Sequence, residues 1–256
     1  MSKLSGAYYE IHHMEQLADR DQWVNHIHPL VKLVVTVFYI ATVVSVNKYD
    51  LARVLILGVY PIAVFILGEI SFTDSVRRVR LILPLVCIVG IFNPLFDRQV
   101  VAHIGNISIT TGMISMVTLI LKGVYTVFAT YLLIAATTIE KICYAMRLVH
   151  LPGILVTQIL LTYRYISVLL KEANTIMQAY SLRAPHQKGV HFKVWGSLIG
   201  QLLLRSIDRA DNVYASMSLR GYNGEFHGAG QEKCKGSDYG YLLIWAAVLV
   251  ILRYVI

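Results

Sequence analysis

Charge is scarce in this sequence. Asp, Glu, Lys and Arg make up 15% of its 256 residues, well below the roughly one quarter usual in soluble domains. Hydrophobic residues make up 56%, more than one water-soluble core absorbs, so the bilayer is the expected solvent. Cysteine is also scarce. Cys87, Cys143 and Cys234 lie far apart with no C-x-x-C, which excludes a disulfide framework and a cysteine metal site and points to a reduced setting. None of the 17 glycines precedes a lysine, so the phosphate loop of an ATPase is missing and the chain does not burn nucleotide itself. The zinc-protease pattern H-E-x-x-H is absent as well, and no Ser or Cys pairs with a His at a recognisable spacing. An enzyme is not expected, nor a cofactor, nor a nucleic-acid partner. The opening MSKLSGAYYEIHHMEQLADRD has no apolar core of a signal peptide, so none is expected to be cleaved.

What is present is a series of long apolar runs, which predict an all-α, polytopic membrane helix bundle of about five spans. The first is Leu30 to Val46, with Pro29 suited to a first helical turn. Lys32 is expected to snorkel from its end. After Asn47-Lys48-Tyr49-Asp50 comes Leu51 to Leu67, in which Pro61 should kink the helix while a neighbour satisfies the freed carbonyl. Arg77, Arg78 and Arg80 precede the third run, Leu81 to Phe92, which is short for a span. A polar loop is expected from Asn93-Pro94 to about Thr111, then a long span from Gly112 to Ile139 and a last one from Tyr239 to Ile256.

Residues 140 to 236 read differently, with twelve Lys+Arg against six Asp+Glu, a net +6. Their pattern is amphipathic. A short helix is expected from Glu140, ended by Pro152-Gly153, followed by long ones over Ile154 to Leu182 and Lys193 to Leu219. Trp195, Leu198, Leu202, Ile207 and Val213 fall roughly on one face of the last. Gln158 and Arg164 argue against counting Ile154 to Leu170 as a sixth span, since arginine at a span's centre costs about 2.5–3.5 kcal/mol. With five spans the positive-inside rule places the basic loops, and the N-terminus with them, in the cytoplasm. The expected organisation is a cytoplasmic arm (1–28), four spans (29–139), cytoplasmic helices (140–238) and a last span (239–256).

Several residues stand out. His12, His13, His26 and His28 could ligate a transition metal or simply be interfacial histidines. Asn106-Ile107-Ser108 matches a glycosylation sequon but is a bare tripeptide. Lys122, inside a span, is a functional candidate, with packing in the bundle or snorkelling as the structural alternative. Most distinctive are two similar tips, AYSLRAPH and MSLRGYNG, each placing Ser-Leu-Arg and a small residue at the end of a helix. One arginine there is explained by the negative end of the helix dipole, worth about 0.3–1 kcal/mol. Two matching tips suit a partner that comes in two similar copies, and the planar fork of arginine suits bidentate capture of its carboxylates or carbonyls.

The tips Leu182-Arg183-Ala184 and Leu219-Arg220-Gly221 resemble the paired Ala-Arg-Gly-like motifs of the transmembrane T component of energy-coupling factor (ECF) transporters, CbiQ type. The blocks HIHPLVKL, IFNPLFDR, LTYRYISVLLKEA and LLLRSIDRADNVYASMSLRGY resemble that family in order. Alanine precedes neither arginine, and Ala184 stands where glycine is usual. The resemblance implies a non-catalytic subunit that joins two ATP-binding cassette ATPases to a substrate-binding membrane subunit. That subunit would be CbiM-like or a vitamin S component. Each arginine tip would dock on one ATPase. The cargo would be cobalt, sometimes nickel, with a vitamin as the alternative and the metal bound by the partner. A self-contained channel or secondary transporter is the rival class, but it calls for inverted repeats that the spans do not display.

Overall fold

A computed structural model describes residues 22–70, 75–76, 80, 83–91, 100–104, 107–185, 189–224 and 235–254. Residues 1–21 of the N-terminal arm with His12 and His13, Arg77, Arg78, most of IFNPLFDR, Asn106 and Cys234 lie outside the described residues. Contacts divide the chain into two compact units, one of Leu17–Thr138 with Glu232–Ile256 and the other built on Ile139–Gln231.

The first unit holds α1 (Trp23–His26), α2 (Pro29–Ser45), α3 (Leu51–Leu57), α4 (Val59–Leu67) and α5 (Leu83–Ile91), then β1 (Val100–Ile104), β2 (Ile107–Thr110), α6 (Thr111–Ala135) and α10 (Gly236–Tyr254). α6 is the central helix, packing against α2, α3, α4 and α5, while α10 packs on α2 and α3. By length and composition α6 and α10 can cross a bilayer, and Pro29–Ser45 and Leu51–Leu67 are shorter apolar helices. At 1.5 Å per residue the 25 residues of α6 span about 37 Å.

Polarity is distributed as lipid demands. Val34, Val37, Phe38, Ile62, Ile66, Leu243 and Ile244 are exposed, while Tyr39, Tyr60, Tyr241 and Trp245 are buried. Tyr39 stacks on Tyr60 at 4.3 Å between ring centroids, and Tyr60 meets the Trp245 ring edge-on at 4.8 Å. The Tyr60 hydroxyl is shared with Thr36 Oγ1 at 3.2 Å. The break expected near Pro61 falls at Gly58, between α3 and α4. Proline lacks the N–H that would bond the carbonyl four residues back, at Leu57. The Tyr39 hydroxyl donates to that carbonyl at 3.1 Å, so a neighbour does satisfy it. Glycine at position 58 leaves room for Tyr125 of α6, since a Cβ there would sit 2.6 Å from its hydroxyl oxygen and the ring would have to move.

Three expectations need correction. Lys32 does not snorkel. It is 4% exposed, and its ammonium donates to the Ala136 carbonyl at 2.8 Å and the Asn25 carbonyl at 3.4 Å. The negative end of α6 holds it in place of solvent. The span expected to reach Ile139 ends at Ala135, and a separate helix begins at Ile139. The polar stretch before Thr111 contains an antiparallel pair, with Ile104 opposite Ile107 and Val100 opposite Thr110. Its β-branched residues favour a pleated strand.

Lys122 acts as Lys32 does, at the opposite end. Its ammonium donates to the Val44 carbonyl at 3.3 Å and to that of Val46, where α2 finishes. Lys32 thus caps the end of α6 and Lys122 caps the end of α2, which fixes the two helices antiparallel. α10 runs parallel to α2. Asp238 in its first turn accepts the His28 N–H at 3.2 Å on one carboxylate oxygen and the Lys235 N–H at 2.7 Å on the other.

The link between Tyr39 and Pro61 is testable by a double-mutant cycle. Tyr39→Phe leaves the Leu57 carbonyl without its donor and should lower stability by about 1–3 kcal/mol in detergent unfolding. Pro61→Ala restores an amide donor, so Tyr39→Phe should cost less in that background. Equal costs in both backgrounds would contradict the assignment.

Candidate functional site

The second unit consists of α7 (Ile139–Leu148), α8 (Gly153–Arg183) and α9 (Phe192–Leu219), with α8 packed on both others. α7 ends at Leu148, short of the expected Pro152-Gly153, with His150 left-handed at φ 64°. The His150 N–H bonds the Arg147 carbonyl and the Leu151 N–H bonds that of Met146, closing the last turn. Leu151, preceding proline, is disfavoured in the helical region. Burial pushes the Cys143 thiol of α7 up, with the Glu140 carboxylate adding to the effect.

α8 and α9 cross as an antiparallel hairpin. Arg205 of α9 pairs with Glu172 of α8 at the crossing. Beyond it the helices enclose a groove of about 980 Å³ lined by Arg164, Asp208, Arg209 and Arg220 among others. Leu198, Leu202 and Val213 of the expected apolar face are half-buried. Trp195 and Ile207 are exposed instead, because the crossing covers only a narrow stripe of α9. By length and composition α8 too could cross a bilayer. Its second half, however, carries Lys171 and Glu172 and packs on a helix bearing Arg205, Asp208, Arg209 and Asp211.

The two Ser-Leu-Arg tips sit at opposite ends of this hairpin and are not brought together. Arg183 is the last residue of α8, eleven positions beyond Glu172, or about 16 Å of helix. Arg220 caps α9, fifteen positions beyond Arg205 in the other direction, or about 22 Å. Both guanidinium groups are exposed, and neither bonds another described residue. The preceding leucines are more telling: Leu182 is 82% exposed and Leu219 is 90% exposed.

The tips end differently, which accounts for the sequence difference at 184 and 221. α9 closes with Gly221 at φ 82°, its N–H on the Ser218 carbonyl and the Tyr222 N–H on that of Met217, both at 3.0 Å. This double closure needs a left-handed residue, which favours glycine. Ala184 caps α8 at φ −129°, with its N–H on the Tyr180 carbonyl at 3.0 Å. The φ angle there is negative, so the left-handed conformation that favours glycine is not called for.

Of the candidate histidines, His26 and His28 lie among the described residues and make local hydrogen bonds. His28 caps α2, its Nδ1 accepting the Leu30 N–H at 3.3 Å, and His26 Nδ1 lies 3.0 Å from the Gln22 carbonyl. Among the described residues no group of three or more His, Cys, Asp or Glu side chains is placed to hold a metal ion. Sequence reasoning missed the capping roles of Lys32 and Asp238, whose partners lie 104 and 210 positions away.

An apolar helical bundle with its aromatic and polar groups turned inward, joined to a charged helical hairpin, defines a multi-pass helical membrane protein. Comparison with known proteins narrows this to a transport family. Residues 20–230 match the family model CbiQ, described as cobalt transport protein. The chain belongs to that family. It is similar to an uncharacterized protein of Methanocaldococcus jannaschii, 27% identical over 226 residues, covering 84% of this chain and 76% of the relative. It is also similar to the energy-coupling factor transporter transmembrane protein EcfT of Lacticaseibacillus paracasei, 26% identical over 226 residues, covering 80% and 82%. The nickel permease LarQ of Lactiplantibacillus plantarum is 25% identical over 114 residues, 44% of this chain and 41% of that protein.

The different helix ends make opposite predictions for the small residues. Gly221→Ala should cost about 1–2 kcal/mol of local stability, visible as faster amide exchange at Tyr222. Ala184→Gly should leave the end of α8 nearly unchanged. Equal loss of protection at both tips would contradict the assignment of glycine to the left-handed position alone.

Proposed function

We propose that the chain is the transmembrane coupling subunit of an ECF-type importer, passing the ATP-driven motion of two ATPase subunits to a separate substrate-binding membrane subunit. The observation that carries this reading is the pair of tips. Each presents a nearly bare leucine beside an exposed arginine, and the two point away from each other along one hairpin. Water is a poor partner for a leucine, and burying one on another protein contributes about 1.5–3 kcal/mol. The arginine fork adds direction, because it captures carboxylates and carbonyls bidentately. Two such knobs at separate ends suit two similar subunits, one each, rather than one ligand held between them.

In this reading Leu182, Arg183 and Ala184 form one docking tip and Leu219, Arg220 and Gly221 the other. The helices from Ile139 to Leu219, in the region of the expected segment 140–238, form the cytoplasmic coupling segment, and the N-terminus lies on the same side, consistent with the net +6 of residues 140 to 236. The likeness to EcfT supports the ECF assignment. The cargo is cobalt, with nickel as the alternative that the likeness to LarQ favours. The metal ion is substrate, captured by the partner membrane subunit.

Co-expression with two ATPase subunits tests the docking tips. Arg183→Ala or Arg220→Ala should leave the protein in the membrane but weaken ATPase association or uncouple hydrolysis from uptake, since removing one member of a buried charged contact costs about 2–5 kcal/mol. Lysine should rescue poorly at either position. The double alanine variant should lose assembly or transport. If it assembles and transports at the parental rate, both arginines are ordinary helix-end cations and the reading fails.

A further inference from the structure

Two of the places where the polypeptide passes between the compact units, after Thr138 and after Gln231, are each followed or preceded by a tie to the same short segment. The second compact unit begins at Ile139, three residues after Ala136, whose carbonyl accepts from the Lys32 ammonium at 2.8 Å. The bundle resumes at Glu232, and the first described side chain to grip it is Asp238, which accepts the His28 N–H at 3.2 Å. His28 and Lys32 stand one turn apart at the start of α2. Lys32 is 4% exposed and Asp238 is 2% exposed. Burying charges this deeply is costly unless each is well bonded. Several other described helix ends close with backbone hydrogen bonds, as at Glu69, His150 and Gly221. At the crossings, charged side chains reach between helices distant in sequence instead.

On the reading of this chain as a coupling subunit, we infer that the segment from His28 to Lys32 is a mechanical pivot. Lys32 and Asp238 are its positioning residues. Force arriving along the chain at Thr138 or at Lys235 meets helix ends already fastened to the start of α2. The three helices α2, α6 and α10 then move together instead of sliding past one another. With either tie cut, a helix end takes up the displacement and less of it reaches the bundle. Lys122 supplies the internal control. It caps α2 with the same chemistry in the same helix pair, but at the far end from both crossings.

The test uses the assembled transporter in proteoliposomes, reading ions taken up per ATP hydrolysed. Lys32→Met and Asp238→Asn should still assemble and hydrolyse ATP, with uptake per ATP falling roughly tenfold, within the range for coupling between sites. Lys122→Met should keep the parental ratio even where it lowers yield. Two glycines inserted between Thr138 and Ile139 leave every tie intact but slacken the connection, so they should also uncouple. That variant decides the matter if Lys32→Met does not accumulate in the membrane. A parental ratio in the Lys32, Asp238 and insertion variants overturns the pivot, as does an equal fall in the Lys122 variant. If the parental chain forms no ATP-driven complex, the coupling reading itself fails and the pivot falls with it.

Discussion

In hydrocarbon no water takes up a carbonyl that a helix leaves open, so helix ends inside the bundle depend on donors from the protein. Two lysines supply them. An ammonium offers three donors and a charge suited to the negative end of a helix, and it serves two carbonyls at once. Lys32 and Lys122 do this reciprocally across α2 and α6, so the pair is pinned at both ends in one register. A slip of one helical turn, about 5.4 Å, would break both attachments. The other helices of the bundle take their places around this pair. Asp238 aligns α10 with the start of α2, and the Tyr39 hydroxyl meets the carbonyl that Pro61 strands on α3.

Much of the fold was legible because hydrophobic length and proline act locally. The apolar helices at Leu30 and Leu51, the two long amphipathic helices and a break near Pro61 follow from runs of residues read in order. The capping of helix ends was not, since nothing near Lys32 in the sequence announces Ala136, and snorkelling is the ordinary expectation for a lysine near the end of a span. The β1–β2 pair was within reach. VVAHIGNISIT holds β-branched residues on either side of Gly105-Asn106, a spacing that fits a hairpin, but it lies between spans where a loop is the usual reading. At the tips, the repeated Ser-Leu-Arg was visible from the sequence, whereas the exposure of both leucines and their placement at opposite ends of a hairpin required the structure.

These features connect into one chain of cause. Membrane solvation turns polar groups inward and produces a bundle whose helix ends are held by side chains. The charged hairpin of α8 and α9 keeps its own crossing with the Arg205–Glu172 pair, and its two ends carry leucine and arginine outward. A tight cap at Gly221 and an open one at Ala184 give the tips different shapes, so the two proposed docking partners need not grip them equally.

The central claim is that each tip is covered by an ATPase in the working complex. Photo-crosslinking side chains placed at position 182 and, separately, at position 219 of the co-expressed complex test it most directly. The account predicts that each position captures an ATPase subunit, and that adding and removing nucleotide changes the yield. Adducts only to lipid or to the chain itself, at both positions, in a complex that still imports its ion, would contradict it.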